Sequence, residues 1–133
     1  MNIKRFILAG LTVFITFEIL DFIIHSVILS QMYESLNSIW RPDMMSKMWI
    51  MLIVTFILSF IFVYIYSKGF TQGLFAGIRF GFIIGFITIC VSALNQYVVY
   101  PVPFNLVIRW CVYGLIQYML CGMVTSLIYK PKS

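Results

Sequence analysis

The chain has 133 residues, 62% of them hydrophobic and only 10% charged, with a net charge of +5 and a mean hydropathy of +1.03. A water-soluble domain of this length needs a polar surface that so few polar residues cannot supply. The basic balance points to flanks lying against anionic lipid headgroups, and not to nucleic acid, for which no soluble basic and aromatic surface exists.

Four apolar runs follow in order over residues 6–29, 48–66, 70–93 and 106–129. Each reaches the roughly 18–20 residues that cross a hydrocarbon core as an α-helix. Transmembrane strands are about half as long and alternate in polarity, a pattern absent here. The expected fold is all-α: a four-helix transmembrane bundle in the bilayer, forming a single integral membrane domain over residues 1–133. Lys4 and Arg5 precede the first run, Lys68 lies in the second connection, and Lys130 and Lys132 follow the last run. The first connection holds Glu34, Arg41, Asp43 and Lys47, and no charge lies between Ala93 and Leu106. This asymmetry predicts a multi-pass protein with both termini in the cytoplasm. Lys4-Arg5 before an apolar run mimics a signal peptide, but the run is too long and bears two carboxylates, so it reads as a retained span.

The first run carries Glu18, Asp21 and His25, spaced i, i+3, i+7, which places all three on one helical face. A carboxylate at bilayer mid-depth costs about 2.5–3.5 kcal/mol on insertion scales, so such groups turn toward a bundle interior or a wet cavity. In the first connection Met32, Tyr33, Leu36, Ile39 and Trp40 recur at helical spacing, which predicts a short amphipathic helix in the membrane interface. Tyr33 and Trp40 suit the headgroup level. Pro42 should end that helix, and Asp43 or Ser46 should cap the second span.

In the third run Gly69, Gly73, Gly77, Gly81 and Gly85 recur every fourth residue, a glycine zipper that lets two helix backbones approach closely. The partner is either a helix of the same chain or one of a second protomer. Arg79 points away from these glycines, and counting from the run midpoints sets it within one turn of the depth of Glu18, so an ion pair is expected. Arg109 in the fourth run falls level with His25, and Thr88, Asn95 and Gln117 add polar groups. The expected interior is a polar column from Arg79 and Glu18 out through Asp21 and His25 to Arg109. Tyr97 to Pro103, with two prolines, should run extended over the bundle mouth. Cys90, Cys111 and Cys121 all fall inside helices. Cys90 and Cys111 sit at similar depth, where contact between the third and fourth spans would join them; the plainer reading treats all three as small hydrophobes.

The column admits a structural reading, in which buried charge fixes helix register, and a functional one, a site that binds or passes a small polar solute, an ion or a proton. A structural or accessory subunit docking through the glycine zipper, as a homo-oligomer or with a membrane partner subunit, is the alternative. A small membrane-embedded enzyme is the third reading. Glu18, Asp21 and His25 span about 10 Å of helix, too far for one metal ion, so no metal site is expected. HExxH, GxSxG and Walker A are absent, and no cofactor is indicated.

Asp21-Phe22, His25, Leu29, Tyr33 and Trp40-Arg41-Pro42 together resemble a pattern in a family of small bacterial four-helix integral membrane proteins of uncharacterised function. The resemblance is confined to Asp21 through Pro42. It implies a setting in the bacterial inner membrane and one recurring unit at the outer face that includes His25 and Trp40-Arg41-Pro42, and it brings no activity with it. A faint internal repeat also runs through the chain: Leu8-Ala9-Gly10-Leu11 resembles Phe75-Ala76-Gly77-Ile78, and Tyr33 matches Tyr100, both 67 residues apart.

Overall fold

The computed structural model describes residues 1–70 and 72–130. Four helices are long and apolar enough to cross a membrane: α1 (Ile3–Ile28), α3 (Met44–Gly69), α4 (Leu74–Val99) and α5 (Phe104–Ile128). A short helix, α2 (Ser30–Ser35), lies between α1 and α3, and no strand occurs among the described residues. Both ends of the described chain lie at one end of the bundle, here the terminal face. The α1–α3 and α4–α5 connections lie at the other, the connection face. Lys132 lies outside the described residues.

The span edges differ from the expected ones for identifiable reasons. Gly73 sits at φ +121°, a left-handed conformation that favours glycine, so α4 starts only at Leu74. At its other end α4 runs past Ala93 to Val99, because Ser92, Asn95 and Gln96 are polar but compatible with a helix. The extended stretch expected from Tyr97 shrinks to Tyr100 through Pro103. Asp43 holds the N-cap position of α3 without capping it. Its carboxylate is drawn instead to Arg41 Nε at 2.9 Å and Lys47 Nζ at 3.7 Å. The Ser46 hydroxyl donates to the Asp43 carbonyl at 2.8 Å.

α1 packs along both α3 and α5, and α4 packs along α5. Phe80 of α4 closes the ring by meeting Phe62 and Tyr66 of α3, with ring centres 4.5 and 5.4 Å apart. α1 and α4 are therefore diagonal. Val13, Phe17, Phe62, Val63, Tyr66, Phe80, Tyr118 and Cys121 form the core. The outward faces carry exposed Ile15, Ile19, Met51, Ile57, Ile87 and Ile116, the surface a bundle presents to lipid and not to water.

The α4–α5 seam is built on three of the five glycines. A methyl group at Gly77 would enter the carbonyl oxygen of Gly122, and one at Gly81 would enter that of Tyr118. At Gly85 it would come within 2.7 Å of the Tyr118 Cβ. Gly69 and Gly73 have open space around them and take no part. They end α3 and precede α4, so the four-residue spacing runs across a break between helices. A similar close contact joins α1 to α3, where Gly10 meets the ring of Phe60. Its counterpart in the repeat, Gly77, also meets Ser126, and Ser126 lies 67 residues after the equally buried Ser59.

α1 and α4 share one further irregularity. Each contains a widened π-type turn in the half nearer the connection face. Leu29 N–H reaches the Ile24 carbonyl at 2.9 Å to close Phe22–Ile28, and Val91 N–H reaches the Phe86 carbonyl to close Phe86–Cys90. Such turns recur at functional sites.

Candidate functional site at Asp21 and His25

The expected column divides. Among the described residues Arg41 and Lys47 both pair with Asp43, and Asp21 has His25 as its neighbour at 4.0 Å; Glu18 and Arg79 are not paired. Glu18 is half-exposed on α1, and Arg79 is exposed on α4. The displaced helix starts are the cause, α1 beginning three residues earlier and α4 four residues later than expected. They set Arg79 little more than a turn from the terminal face while Glu18 lies past the middle of α1, a difference of about 15 Å in depth. The diagonal placement of the two helices separates them further. Glu18→Gln and Arg79→Gln should therefore be additive within about 0.5 kcal/mol in a double-mutant cycle read by unfolding in detergent. A coupling above about 1 kcal/mol would mean that the two side chains meet.

Arg109 is not beside His25 either. Its Nε donates to Asn105 Oδ1 at 3.2 Å on its own helix. Arg41 is exposed and held by Asp43. Thr88 and Asn95 line an open groove of about 460 Å³ along α4 together with Ser92 and Gln96, away from the column. Of the expected polar residues, the structure brings together Asp21, His25 and Gln117.

These three belong to a longer line of polar side chains that begins at mid-bundle. Gln117, 4% exposed, donates from Nε2 to Asp21 Oδ1 at 2.7 Å and to the Phe17 carbonyl at 3.3 Å. Asp21 Oδ1 lies 4.0 Å from His25 Nε2. His25 Nδ1 is 2.6 Å from the Tyr33 hydroxyl, and Trp110 Nε1 donates to that same hydroxyl at 2.7 Å. An indole N–H can only donate, so it occupies a lone pair of the phenol oxygen. The phenol can then give its proton to His25 Nδ1, an arrangement that requires the neutral imidazole tautomer with its own proton on Nε2, toward Asp21.

The local chain course makes this possible. The wide turn ends at Leu29 (φ −98°, ψ 4°), and α2 folds back over the mouth of the bundle. Ile24, Leu29 and Leu106 are buried there, with Met32, Leu36, Trp40, Trp110 and Tyr113 around them. Tyr33 consequently points into the bundle instead of to headgroups. Trp40 Nε1 donates to the Tyr33 carbonyl at 2.9 Å, and its ring meets the Tyr33 ring edge-on at 5.6 Å. The two residues expected as interfacial anchors are thus the latch that holds the connection down. Burial pushes the Tyr33 phenol above its ordinary value, the Trp110 donor opposes this, and the nearby Asp21 carboxylate adds to the rise. The phenol stays protonated, as its donor role requires.

No protein family, curated protein or solved structure matches this chain. The site has to be read from its own chemistry. Asp21 and His25 keep 38% and 43% of their side-chain surface open. Toward the terminal face the line stops at Gln117 against a dry aromatic layer. Phe17 lies edge-on to Tyr118 at 5.0 Å and to Phe62 at 6.0 Å, and Phe62 meets Phe80. Among the described residues no three carboxylate, imidazole or thiol groups converge as a metal ion would need.

Trp110 is the site residue with no expected role; Tyr33 and Trp40 are expected as interfacial anchors, with Trp40 also in the outer-face unit that the resemblance implies. One signal was available: a Trp or Tyr placed where its ring is buried must find a partner for its N–H or O–H. His25 is the one histidine in the sequence, and it follows the only carboxylates of the four apolar runs.

Proposed function

We propose that this is a multi-pass protein of the bacterial inner membrane, with cytoplasmic termini, that binds a proton or a small polar solute at Asp21 and His25 from the non-cytoplasmic side. The observation that carries this reading is the polar line Trp110–Tyr33–His25–Asp21–Gln117, hydrogen-bonded at every link but the 4.0 Å step from His25 to Asp21, half-exposed at those two residues and stopped at mid-bundle by the aromatic layer. A line that ends there favours binding over passage. The acceptor for the incoming proton is Asp21 Oδ2, since Oδ1 already takes the Gln117 hydrogen bond and faces His25. The resemblance over Asp21 to Pro42 supports the same reading, because Asp21, His25, Tyr33 and Trp40 all come from that stretch and act as one unit. Arg41 stands outside it.

The glycine zipper of the third span serves in this reading as an internal seam. With α5 filling the groove at Gly77, Gly81 and Gly85, an accessory subunit or second copy has no access to those glycines.

Acid-minus-neutral infrared difference spectra of the reconstituted protein test the proposal. Of the carboxylic acid bands that grow on acidification, one component should vanish in Asp21→Asn, shift in His25→Ala and stay unchanged in Arg79→Gln. A set of bands identical in the parent and Asp21→Asn would overturn it. The side of access is checked separately. Reporter fusions at the C-terminus and within residues 37–43 should report opposite sides, the C-terminal one inside; the reverse result would move the open end of the site to the cytoplasm.

A further inference from the structure

We propose that Cys90 and Cys111 form a reversible dithiol–disulfide couple across the α4–α5 seam, oxidised by exchange with an external disulfide. The antiparallel register of the two helices sets the geometry. Gly77 faces Gly122, Gly81 faces Tyr118, and Gly85 faces Tyr118 and Leu115. Continued by the same steps, the register puts Cys90 level with Cys111 and Ala93 level with Val107; the last two share a buried cluster against which Cys111 packs. The two thiols lie close enough for each to act electrostatically on the other. Cysteine is short, so two helices can bring a pair within bonding reach only where their backbones run close, which the glycines ensure.

The two thiols differ in access, which gives them different roles. Cys111 is half-exposed, and Cys90 is 5% exposed behind it. Cys111 is therefore the entry thiol and Cys90 the resolving one. As a thiolate, the Cys111 sulfur attacks one sulfur of a disulfide RS–SR, forming a mixed disulfide and expelling RS⁻, which takes up the proton that Cys111 gave up. Cys90 then loses its proton and attacks the Cys111 sulfur, closing the Cys90–Cys111 bond and expelling the second RS⁻, which leaves as RSH. Two protein thiols lose two electrons and two protons, and the external disulfide gains both. Cys121, wholly buried among core aromatics, has no cysteine facing it and is an internal control.

Full-length protein in detergent, exposed to excess dipyridyl disulfide and then analysed by mass spectrometry of non-reduced peptides, gives a direct test. A dithiol couple releases two pyridinethiones for each reagent molecule consumed and leaves a Cys90–Cys111 bridge with no pyridyl group on either residue. Cys90→Ser and Cys90→Ala should each leave Cys111 carrying a stable pyridyl adduct, while Cys121→Ser should keep the bridge. Separate adducts on Cys90 and Cys111 in the parent protein, a bridge to Cys121, or a Cys111 that never reacts would each overturn the proposal.

Discussion

Gly81→Leu is expected to prevent assembly of the bundle, and Gly81→Ala to destabilise it by about 2 kcal/mol, within the range found for overpacked cores. Even the methyl group of alanine falls inside the carbonyl oxygen of Tyr118 and close to the Met119 backbone. These are backbone atoms of a second helix, so no side chain can rotate away. The helices must separate, and in lipid no hydrophobic gain compensates for lost contact between them. Gly77→Ala should behave in the same way against Gly122. Gly69→Ala meets open space and should change little. Unfolding in mixed detergent reads all four variants on one scale. A Gly81→Leu protein that melts like the parent would mean that α4 and α5 do not cross at these glycines.

Tyr33→Phe should have the largest effect of any change in the polar line. It removes one oxygen and with it two hydrogen bonds, leaving the Trp110 N–H and the His25 Nδ1 without partners. Each orphaned group costs about 1–3 kcal/mol where water cannot replace the partner. Partial exposure of His25 puts the total near the lower end of that range. The Trp40 bond survives, because it ends on the Tyr33 backbone carbonyl, so α2 should loosen without detaching. Loss of stability together with an upfield shift of the Trp110 indole proton would confirm this, whereas an unchanged indole resonance would mean that Trp110 does not depend on Tyr33. Alkali should act on the same bond. The Tyr33 phenol is raised above its ordinary value of 10.0, so its stabilisation is complete below that pH. It is lost as the pH climbs beyond 10.0 toward the raised folded value.

The number of spans was legible because hydropathy over about 20 residues leaves few alternatives. Asp21, His25 and Gln117 were legible for a related reason, since each is too polar for its surroundings. The span edges were not. An apolar run that gives way to Asn95 and Gln96 reads as ending at Ala93, although the backbone continues the helix to Val99. The starts mattered more for Arg79: with α1 beginning at Ile3 and α4 at Leu74, the depths of Glu18 and Arg79 no longer match and the expected ion pair is lost. The latch residues were hidden for another reason. Tyr33 and Trp40 suit headgroups as well as a bundle interior, and only the backward fold of α2 after the wide turn decides between the two. Residue spacing within a segment cannot report a reversal that follows it.

The close contact of α1 with α3 and of α4 with α5 bears on how the bundle is assembled. Each contact joins spans that are consecutive in the chain, so each pair can form a helical hairpin as soon as its second member enters the bilayer. The polar line belongs to neither hairpin. Asp21, His25 and Tyr33 come from the first, and Trp110 and Gln117 from the second. Until the hairpins dock, the carboxylate and the indole both lack their partners, and docking supplies both at once. The site is therefore a product of the final assembly step, and the same two hydrogen bonds that define it, Gln117 to Asp21 and Trp110 to Tyr33, fasten one half of the protein to the other.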